Sequence, residues 1–357
     1  MAEKLPTHSL LASRGASFGT DGAWELPLAI SEPGHEYRAA REGTGILDLS
    51  FRAFVEVSGA DAARFLNGML TNDLASLPPG RFMYATTLNP RGKMMTDMTV
   101  YALEERFLLE LEPARWTPLL EHLEHYIIAD DVTLTDLRTR SGLLAIEGPQ
   151  AADLIGRLTP DLLPEPGHHA EVMIAGTACR LAHDSVTSGP GFKVLCPRDR
   201  TAFLWEAAVE AGALPVGMQA LETLRIEAGI PRFGVDMTEE HFPQEVAIED
   251  RGVSFNKGCY VGQEFVIRIH HRGHVNRRLA GIACSGETVP LPGDPVYREE
   301  KEVGRVSSAT ISPALAQPIA LAILRRECLE PGTAVEIDRD GTRLKAEVVT
   351  LPFYPRR

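Results

Sequence analysis

Apolar and polar residues follow the same order in two stretches of the chain. Residues 55–74 read as a short apolar strand, a turn at Gly59 and an amphipathic helix, and residues 144–162 repeat that order around Gly148. A change from strand-like to helical spacing across a glycine predicts a strand–turn–helix unit. The pattern therefore predicts two units of the same kind.

A second pair of segments supports an internal duplication. Apolar strands lead into helical runs across Pro113 and again across Pro197. Proline suits the first turn of a helix, because its missing N–H has no partner there. Strand–turn–helix units are common and one match arises by chance, but two matches in the same order favour a repeat of residues 55–126 by residues 144–211. We predict two related α+β units, each an antiparallel sheet with helices on one face.

The pattern changes after about residue 278, where short β-rich runs alternate with turn residues. Regularly spaced strands between turns are typical of a small β-barrel or sandwich. We therefore predict an α+β protein with a first region at residues 1–275 and a C-terminal small β-barrel domain at residues 276–357. The turns that delimit the strands are Gly286, Pro290, Pro292–Pro295, Pro331–Gly332 and Asp340–Gly341.

Composition narrows the class of protein. The chain has 357 residues, of which 44% are hydrophobic, and a net charge of −13. A large apolar fraction excludes wholesale disorder, and the acidic surface argues against direct binding of nucleic acid or an anionic membrane. The N-terminus lacks the features of a signal peptide, and no run approaches the roughly 18 apolar residues of a membrane span. We expect a soluble cytoplasmic protein.

The five cysteines are widely spaced and form no CxxC pair, so we predict no metal site and a reducing compartment. One of them stands in an unusual setting, the octet Lys257-Gly-Cys-Tyr-Val-Gly-Gln-Glu264. A nearby cation favours the reactive thiolate, and flanking glycines allow close approach of the backbone. Cys259 is therefore a candidate nucleophile, with Lys257 lowering its pKa and Glu264 relaying a proton. The alternative is a buried structural cysteine on a tight turn.

A basic segment follows the octet. Residues 268–278 contain four arginines and three histidines, a composition that suits an anion such as a folate glutamate tail or a phosphate-bearing partner. Arg268 is the preferred anion contact, because it lies closest to the octet. We read the segment as a strand, in which adjacent histidines point to opposite faces and do not share a metal. The alternative is a solvated strand face.

The octet resembles the signature of the YgfZ-like folate-binding proteins, which are relatives of the glycine-cleavage T-protein and support assembly or repair of iron–sulfur clusters. The likeness covers nearly the whole chain. It implies a T-protein-like folate-binding region, tetrahydrofolate or a one-carbon derivative as cofactor, and iron–sulfur client enzymes or assembly proteins as partners, including radical enzymes that modify tRNA. Other similar segments are Tyr37–Ser50, Leu70–Asp73, Arg225–Gly234 and Phe242–Glu245.

The resemblance also implies binding residues. Glu227 corresponds to the acid that binds the pterin, and its carboxylate can accept two parallel hydrogen bonds from an aminopyrimidine edge. Without the resemblance, Glu227 reads as a solvated helix-surface residue. Asp97 is a candidate folate contact, and Tyr84 a candidate stacking surface or a plain core tyrosine. The remaining candidate motif residues are Gly258, Tyr260, Gly262 and Gln263.

Three functions are consistent with these residues. The first is a tetrahydrofolate-binding factor that supports iron–sulfur enzymes and depends on Cys259. The second is a tetrahydrofolate-dependent aminomethyltransferase or demethylase. The T-protein has adjacent aspartates where this chain has Thr96 and Asp97, and it lacks the octet, so both features oppose the second function. The third is a non-catalytic folate-binding scaffold, which would tolerate Cys259→Ala. If the chain is an enzyme, we expect a folate-dependent one-carbon or aminomethyl transferase.

Overall fold

A computed structural model describes residues 2–354, and of Arg272 only the backbone. The helices are α1 (His8–Ser13), α2 (Pro33–Glu42), α3 (Ala62–Met69), α4 (Trp116–Tyr126), α5 (Ala151–Leu158), α6 (Thr201–Glu210), α7 (Met218–Glu227), α8 (Glu249–Gly252) and α9 (Gln263–Arg272). Short 3-10 turns occur at Leu74–Ser76, Pro113–Arg115, Arg198–Arg200, Pro243–Val246 and Arg326–Cys328.

The strands lie before, between and after these helices along the described chain. They are β1 (Glu3–Lys4), β2 (Ser17–Asp21), β3 (Trp24–Ala29), β4 (Gly45–Asp48), β5 (Ala53–Ser58), β6 (Phe82–Leu88), β7 (Met94–Ala102), β8 (Arg106–Leu111), β9 (Thr133–Asp136), β10 (Ser141–Glu147), β11 (His169–Ile174), β12 (Thr177–Ala182), β13 (Gly191–Pro197), β14 (Leu214–Pro215), β15 (Arg277–Cys284), β16 (Pro295–Arg298), β17 (Lys301–Ser312), β18 (Gln317–Arg325), β19 (Ala334–Arg339) and β20 (Thr342–Val349).

Contacts within the chain divide it into two compact units. The first contains the residues up to Asn67 together with Asp73–Tyr84 and Met98–Leu221. The second contains Gly68–Asn72, Ala85–Asp97 and the residues from Glu222 onward. The chain therefore passes between the units several times, and two short internal segments are built into the unit that holds the C-terminal residues.

Sheets dominate the first unit. A six-stranded sheet has the order β11-β12-β13-β10-β4-β14, and a three-stranded sheet has the order β1-β3-β2. A five-stranded sheet has the order β6-β7-β8-β5-β9, although parts of β6 and β7 belong to the second unit. The largest core of this unit packs α5 and α6 on the six-stranded sheet, with Trp205 and Phe192 fully buried. Helices on one face of a mainly antiparallel sheet are the predicted α+β arrangement.

Two stretches of the fold share the order of elements on which the predicted repeat is based; the repeat itself stays a prediction. In each copy a strand ends, a glycine turns the chain, and a helix follows: β5, Gly59 and α3, then β10, Gly148 and α5. Both glycines have positive φ, +114° and +121°, and a Cβ on either would lie within 2.4 Å of a backbone oxygen. Only glycine accepts that backbone and that space without strain. Each first strand also pairs antiparallel with the later strand of its copy, β5 with β8 and β10 with β13.

A buried ion cluster joins the equivalent strands β8 and β13 of the two copies. Glu110 accepts hydrogen bonds from Tyr101 (2.7 Å), Arg52 (3.1 Å) and Lys193 (3.1 Å), and Lys193 also pairs with Asp184 (2.8 Å). Burial alone would raise the pKa of Glu110, but the charges of Lys193 and Arg52 outweigh it and lower that pKa to about 2. The cluster therefore keeps a buried carboxylate charged by surrounding it with cations.

The second unit contains the predicted barrel. Its strands close in the order β15-β18-β17-β16-β19-β20, around a core that includes Ile282, Val296, Leu324 and Ile337. The predicted boundary after residue 275 lies just before β15 begins at Arg277. Contacts group the barrel with the preceding residues from Glu222 as well, because the end of α7 packs on the outside of β15 and β18 through Ile226.

The strand predicted at residues 268–278 is wrong. Gln263–Arg272 form α9, and β15 begins only at Arg277. The helix buries Val266 and half-buries Phe265 and Ile269, an i, i+3 spacing that indicates one apolar helix face. Arg268 within this face and the basic residues that follow Ile269 obscured the period. The argument from strand alternation about the histidines therefore does not apply, although no three His, Cys, Asp or Glu side chains within the described residues are arranged to hold a metal.

Within residues 2–354, no helix has both the length and the apolar character needed to cross a bilayer.

One buried acid of the first unit makes its stability depend on pH. Glu147 at the end of β10 is fully buried and accepts hydrogen bonds from Ser185 (2.5 Å), Thr187 (2.6 Å) and the backbone N–H of Val186 (3.1 Å). Burial, assisted by the nearby charge of Asp184, raises the pKa of Glu147 from 4.5 to about 7. The folded chain therefore binds this proton more tightly than the unfolded chain.

We expect Glu147→Gln to flatten the pH dependence of unfolding. The contribution of Glu147 is fully present below its unfolded pKa and is lost as pH rises through about 7. Between pH 4.5 and 8 the wild type should lose on the order of 3 kcal/mol more than the variant. Urea unfolding at several pH values measures the difference, and parallel curves for the two proteins would contradict the assignment.

Candidate functional site

The last turn of α7 carries a buried carboxylate. Glu227 is the final residue of the helix and is fully buried, so the interpretation as a solvated surface glutamate is wrong. The Ser312 hydroxyl donates a hydrogen bond to Glu227 Oε1 (2.5 Å), and the N–H of Phe353 donates to the Glu227 carbonyl (2.9 Å). A buried carboxylate needs several hydrogen bonds to offset its lost hydration. The end of α7 is therefore a polar position inside an otherwise packed unit.

The same turn is fixed by a buried ion pair. Arg225 donates to Asp236 (2.7 Å), to Glu222 (2.6 Å) and to the Ser308 hydroxyl (2.8 Å). Asp236 also accepts the backbone N–H of Arg232 (3.0 Å). Burial alone would lower the pKa of Arg225, but the charges of Asp236 and Glu222 outweigh it and raise that pKa. Because its donors are shared among several partners, Arg225 holds the helix end in one place.

The octet forms an irregular loop that ends in α9. Cys259 is exposed, whereas the other four cysteines of the described chain are buried, so the interpretation of Cys259 as a buried structural cysteine is wrong. Backbone contacts hold the loop against residues 68–72: the N–H of Val261 donates to Gly68 O (3.1 Å) and the N–H of Ser254 to Thr71 O (2.9 Å). The thiol is therefore presented to solvent by a well-anchored backbone.

Lys257 anchors the loop. Its ammonium donates to the carbonyls of Leu70 (2.9 Å) and Asn72 (2.8 Å) and lies 5.2 Å from the centre of the Tyr260 ring. These contacts assign Lys257 a structural task in addition to the predicted effect on the Cys259 thiol, which stays a prediction. The two carbonyls belong to the short segment that the second unit takes from the early chain.

Two glycines allow the octet to approach the turn between β6 and β7. Gly262 has a φ of +78°, and a Cβ there would lie 2.5 Å from the Asn89 carbonyl oxygen. Gly92 in the turn has a φ of +75°, and its Cβ would lie 2.6 Å from the Cβ of Phe265. Gly258 is different, because a Cβ there has open space around it. The glycine at 262 therefore has a packing role that the glycine at 258 lacks.

The other octet residues divide between a buried and an exposed side. Tyr260 is 6% exposed, and burial raises its pKa well above the ordinary value. Gln263 begins α9, and its amide lies 3.5 Å from the Gly258 carbonyl oxygen. Glu264 is exposed on the first turn of α9 and forms an ion pair with Arg268, four residues further on. The predicted proton relay by Glu264 and anion binding by Arg268 stay predictions, and these two side chains neutralise each other on an outer helix face.

Other basic residues of this region line a cavity. A cavity of about 300 Å³ lies beside α9 and β15 within the second unit. Arg278 donates there to Glu249 (2.5 Å) and to the Gln244 carbonyl (3.0 Å), so it is already paired. The cavity is lined by Gln244, Glu249, Ile269, His270, His274, Val275, Arg278, Arg326 and Leu329. His274 and Arg326 are therefore better placed than Arg268 for an anion that enters this cavity.

The acid predicted on β7 is half-buried. Asp97 alternates with fully buried Thr96, so the two side chains point to opposite faces of the strand. The Thr96 hydroxyl donates to the Asp97 carbonyl (3.0 Å), and the Thr86 hydroxyl donates to the Thr96 carbonyl (2.6 Å). Thr96 is therefore occupied inside the unit and does not replace an acid. Tyr84 on β6 is half-buried in the first unit, so its predicted stacking role stays a prediction.

Sequence reasoning missed the residues that support these side chains. Ser308, Ser312 and Asp236 contact the end of α7, and Thr71 lies at the centre of the anchored segment. The Thr71 hydroxyl is 2.6 Å from Gly252 O and accepts the Thr86 N–H (3.1 Å). The available sequence signal was the polar residues themselves, because a polar side chain that folding buries needs a hydrogen-bond partner. That signal shows that a partner exists but not which one.

Comparisons with known proteins cover the full chain. The family model named GCVT N-terminal domain matches residues 7–257, and the model named Glycine cleavage T-protein C-terminal barrel domain matches residues 277–355. Aminomethyltransferases of Geobacillus kaustophilus and Bacillus subtilis are 32% and 30% identical to this chain, each over 364 positions that span 100% of both proteins.

A solved structure agrees with these relatives. The crystal structure of glycine cleavage system aminomethyltransferase T from Bartonella henselae superposes with a TM-score of 0.91 at 25% identity. The match covers 100% of this chain and 99% of that one. The fold, including the terminal barrel, is therefore that of the glycine-cleavage T-protein.

We expect Gly262→Ala to destabilise the octet loop and Gly258→Ala to leave it intact. The first variant forces a side chain into a positive-φ position and against the Asn89 carbonyl, which should cost about 1–3 kcal/mol of unfolding free energy. The control has open space at its Cβ and should change stability by less than about 0.5 kcal/mol. Denaturant unfolding measures the stability of each variant, and the rate of Cys259 labelling by a thiol reagent reports on the octet loop. Equal stabilities and labelling rates of the two variants would disprove the packing role of Gly262.

Proposed function

Because the chain belongs to the glycine-cleavage T-protein family, we propose that it is a tetrahydrofolate-dependent aminomethyltransferase of the glycine-cleavage type. The observation that carries the proposal is the fully buried Glu227 carboxylate in a chain that matches aminomethyltransferases from end to end. The motifs of the sequence favour an iron–sulfur maintenance factor, with aminomethyl transfer as the alternative. The relatives support the alternative better, because they are named aminomethyltransferases.

The residues present fit a reduced folate. Aminomethyltransferases of this family use tetrahydrofolate, as the sequence resemblance implied. The aminopyrimidine edge of a pterin presents parallel N–H donors, which a carboxylate can accept in a bidentate pair. Glu227 is a fully buried carboxylate, the group that such an edge requires, and its Oε1 accepts the Ser312 hydroxyl. We assign Glu227 to recognition of the pterin.

Bound tetrahydrofolate would supply the nitrogen acceptor for a one-carbon unit. The chain itself must bind and orient this carrier and hold a proton acceptor near the reacting group. We assign the acid to Asp97, because Thr96 is fully buried, has no carboxylate and uses its hydroxyl within the strand. The departure at Thr96 thus leaves a single carboxylate at these two positions.

A second function is favoured by the exposed Cys259. An exposed thiol on an anchored loop contributes nothing to packing and is accessible to a reaction partner. In this alternative the chain binds tetrahydrofolate but acts on iron–sulfur enzymes or their assembly proteins through Cys259. The scaffold alternative uses the same folate site and does not require the thiol.

We expect Glu227→Gln to weaken binding of tetrahydrofolate by roughly tenfold to a hundredfold, because a charged bidentate contact is worth about 1.5–3 kcal/mol. Calorimetric titration of the purified protein under reducing conditions measures the dissociation constant. Glu264→Gln is the matched control, since that side chain is exposed on α9, and it should bind like the wild type. Unchanged binding by Glu227→Gln would refute the pterin site.

A second measurement separates the two functions. In a reconstituted glycine-cleavage assay, Asp97→Asn should lower tetrahydrofolate-dependent aminomethyl transfer by about a hundredfold or more, as expected for loss of a general base. Cys259→Ser should retain transfer within about threefold, because the proposal gives the thiol no part in it. The iron–sulfur function makes the opposite prediction. In that case the wild-type protein has no transfer activity, and the Cys259→Ser variant no longer sustains iron–sulfur enzymes in cells. A Cys259→Ser variant that still sustains those enzymes would favour the scaffold.

A further inference from the structure

The barrel strand β17 runs beside the last turn of α7 and presents hydroxyl groups to it. Ser312, its final residue, is fully buried and donates to Glu227 Oε1 (2.5 Å). The Ser312 hydroxyl oxygen in turn accepts the N–H of Leu315 (3.1 Å), which lies in the turn after the strand. A hydroxyl has one proton, so acceptance from Leu315 leaves that proton directed at the carboxylate. The Leu315 N–H therefore fixes the orientation of the Ser312 hydroxyl.

An irregularity in β17 aims a second group of hydroxyls at α7. Adjacent side chains of a regular strand point to opposite faces, yet Ser307 and Ser308 both donate to Asp236 Oδ1, at 2.5 and 2.7 Å. The register between β17 and β18 shifts between Val306 and Ser308, which marks a β-bulge at Ser307. An extra residue in a bulge re-aims side chains. The bulge thus lets two consecutive serines reach one buried acid.

Asp236 connects the two serines of β17 to α7. Its other oxygen accepts from Arg225 (2.7 Å), two residues before Glu227, and Arg225 also donates to Ser308 (2.8 Å). All of these side chains are nearly inaccessible to solvent: Asp236 is 1% exposed, Ser308 3% and Arg225 5%. β17 therefore holds the end of α7 at two points, the Glu227 carboxylate through Ser312 and the backbone turn through Asp236 and Arg225.

We infer that Ser312 is a positioning residue for folate recognition, which orients the Glu227 carboxylate from the barrel. The inference rests on the proposed role of Glu227. A carboxylate that is fixed before the ligand arrives loses less conformational freedom on binding, so each hydrogen bond contributes more to affinity. In this chain the barrel contributes to the folate site by orienting its acid, because the buried Ser312 hydroxyl of β17 donates to the Glu227 carboxylate.

The competing explanation is that Ser312 only stabilises the turn after β17. A double-mutant cycle separates the two, because an effect that acts through Glu227 vanishes when Glu227 is removed. The four proteins are wild type, Ser312→Ala, Glu227→Ala and the double variant, and the readout is the dissociation constant for tetrahydrofolate. Alanine is used at 227 because glutamine would still accept the Ser312 proton.

We expect Ser312→Ala to weaken tetrahydrofolate binding roughly tenfold in the wild-type background, the effect of one hydrogen bond to a charged group. In the Glu227→Ala background the same substitution should change the dissociation constant by less than about twofold. Ser312→Cys keeps the volume with a weak donor, and it should follow Ser312→Ala if the alanine variant is unstable. A tenfold effect of Ser312→Ala that persists without Glu227 would overturn the inference.

Thr310→Val provides the matched control. Thr310 lies on the same strand, and its hydroxyl is 2.9 Å from that of Thr223 on α7, one turn before Glu227. The variant removes a contact between β17 and the helix without touching the carboxylate, so we expect binding within about twofold of wild type. Thermal unfolding of every variant checks that the fold is intact.

The two proposals fail in different ways. If Glu227→Ala loses binding while Ser312→Ala and Ser312→Cys bind like the wild type, the positioning role is overturned and the pterin site stands. If Glu227→Ala binds tetrahydrofolate like the wild type, the proposed site is wrong and the positioning role is overturned with it. A loss in Thr310→Val equal to that in Ser312→Ala would show a general effect of the helix contact and would also overturn the inference.

Discussion

The buried ion pair between Arg225 and Asp236 fixes the end of α7 within the second unit, and the position of Glu227 depends on it. Burying two charges costs several kcal/mol per ion unless their remaining donors and acceptors are satisfied. Here Glu222, Ser308 and the Arg232 N–H satisfy them. Removal of Arg225 would leave the buried Asp236 carboxylate without its counter-ion, so the ion pair fixes the helix end against the barrel strand.

The octet is held by a different kind of interaction. Backbone hydrogen bonds, two glycines in close contact and the Lys257 ammonium attach it to early segments of the chain. None of these contacts uses the Cys259 side chain. The thiol therefore lies on a fixed surface, whereas the carboxylate of Glu227 lies inside the unit. Because their environments differ, the two residues carry different proposals, recognition of a folate for Glu227 and reaction at an exposed sulfur for Cys259.

Within the first unit, the two stretches predicted to be a repeat share one structural requirement. Each copy needs a glycine where its first strand turns into its helix, because the backbone there has positive φ and another backbone oxygen occupies the Cβ position. The equivalent strands β8 and β13 then face each other through Glu110 and Lys193. A charged contact thus joins the two strands, and the surrounding cations hold the buried Glu110 carboxylate in its ionised form.

The sequence by itself determined the features that depend on short-range pattern. The two strand–glycine–helix units follow from periodicity around Gly59 and Gly148, and the barrel follows from turns spaced along the last 80 or so residues. The candidate acid Glu227 and the octet came from motifs. The period failed at α9, where Arg268 and the basic residues after Ile269 concealed a single apolar face.

Only the tertiary structure decided which candidates are buried and which residues support them. Ser312 lies 85 positions from Glu227 along the chain, and Asp236 lies 72 from Ser308. No local pattern links such residues, because a buried polar group requires a partner without specifying its sequence position. The exposure of Cys259 and the anchoring of Lys257 likewise follow from how distant segments pack, and packing is a property of the whole fold.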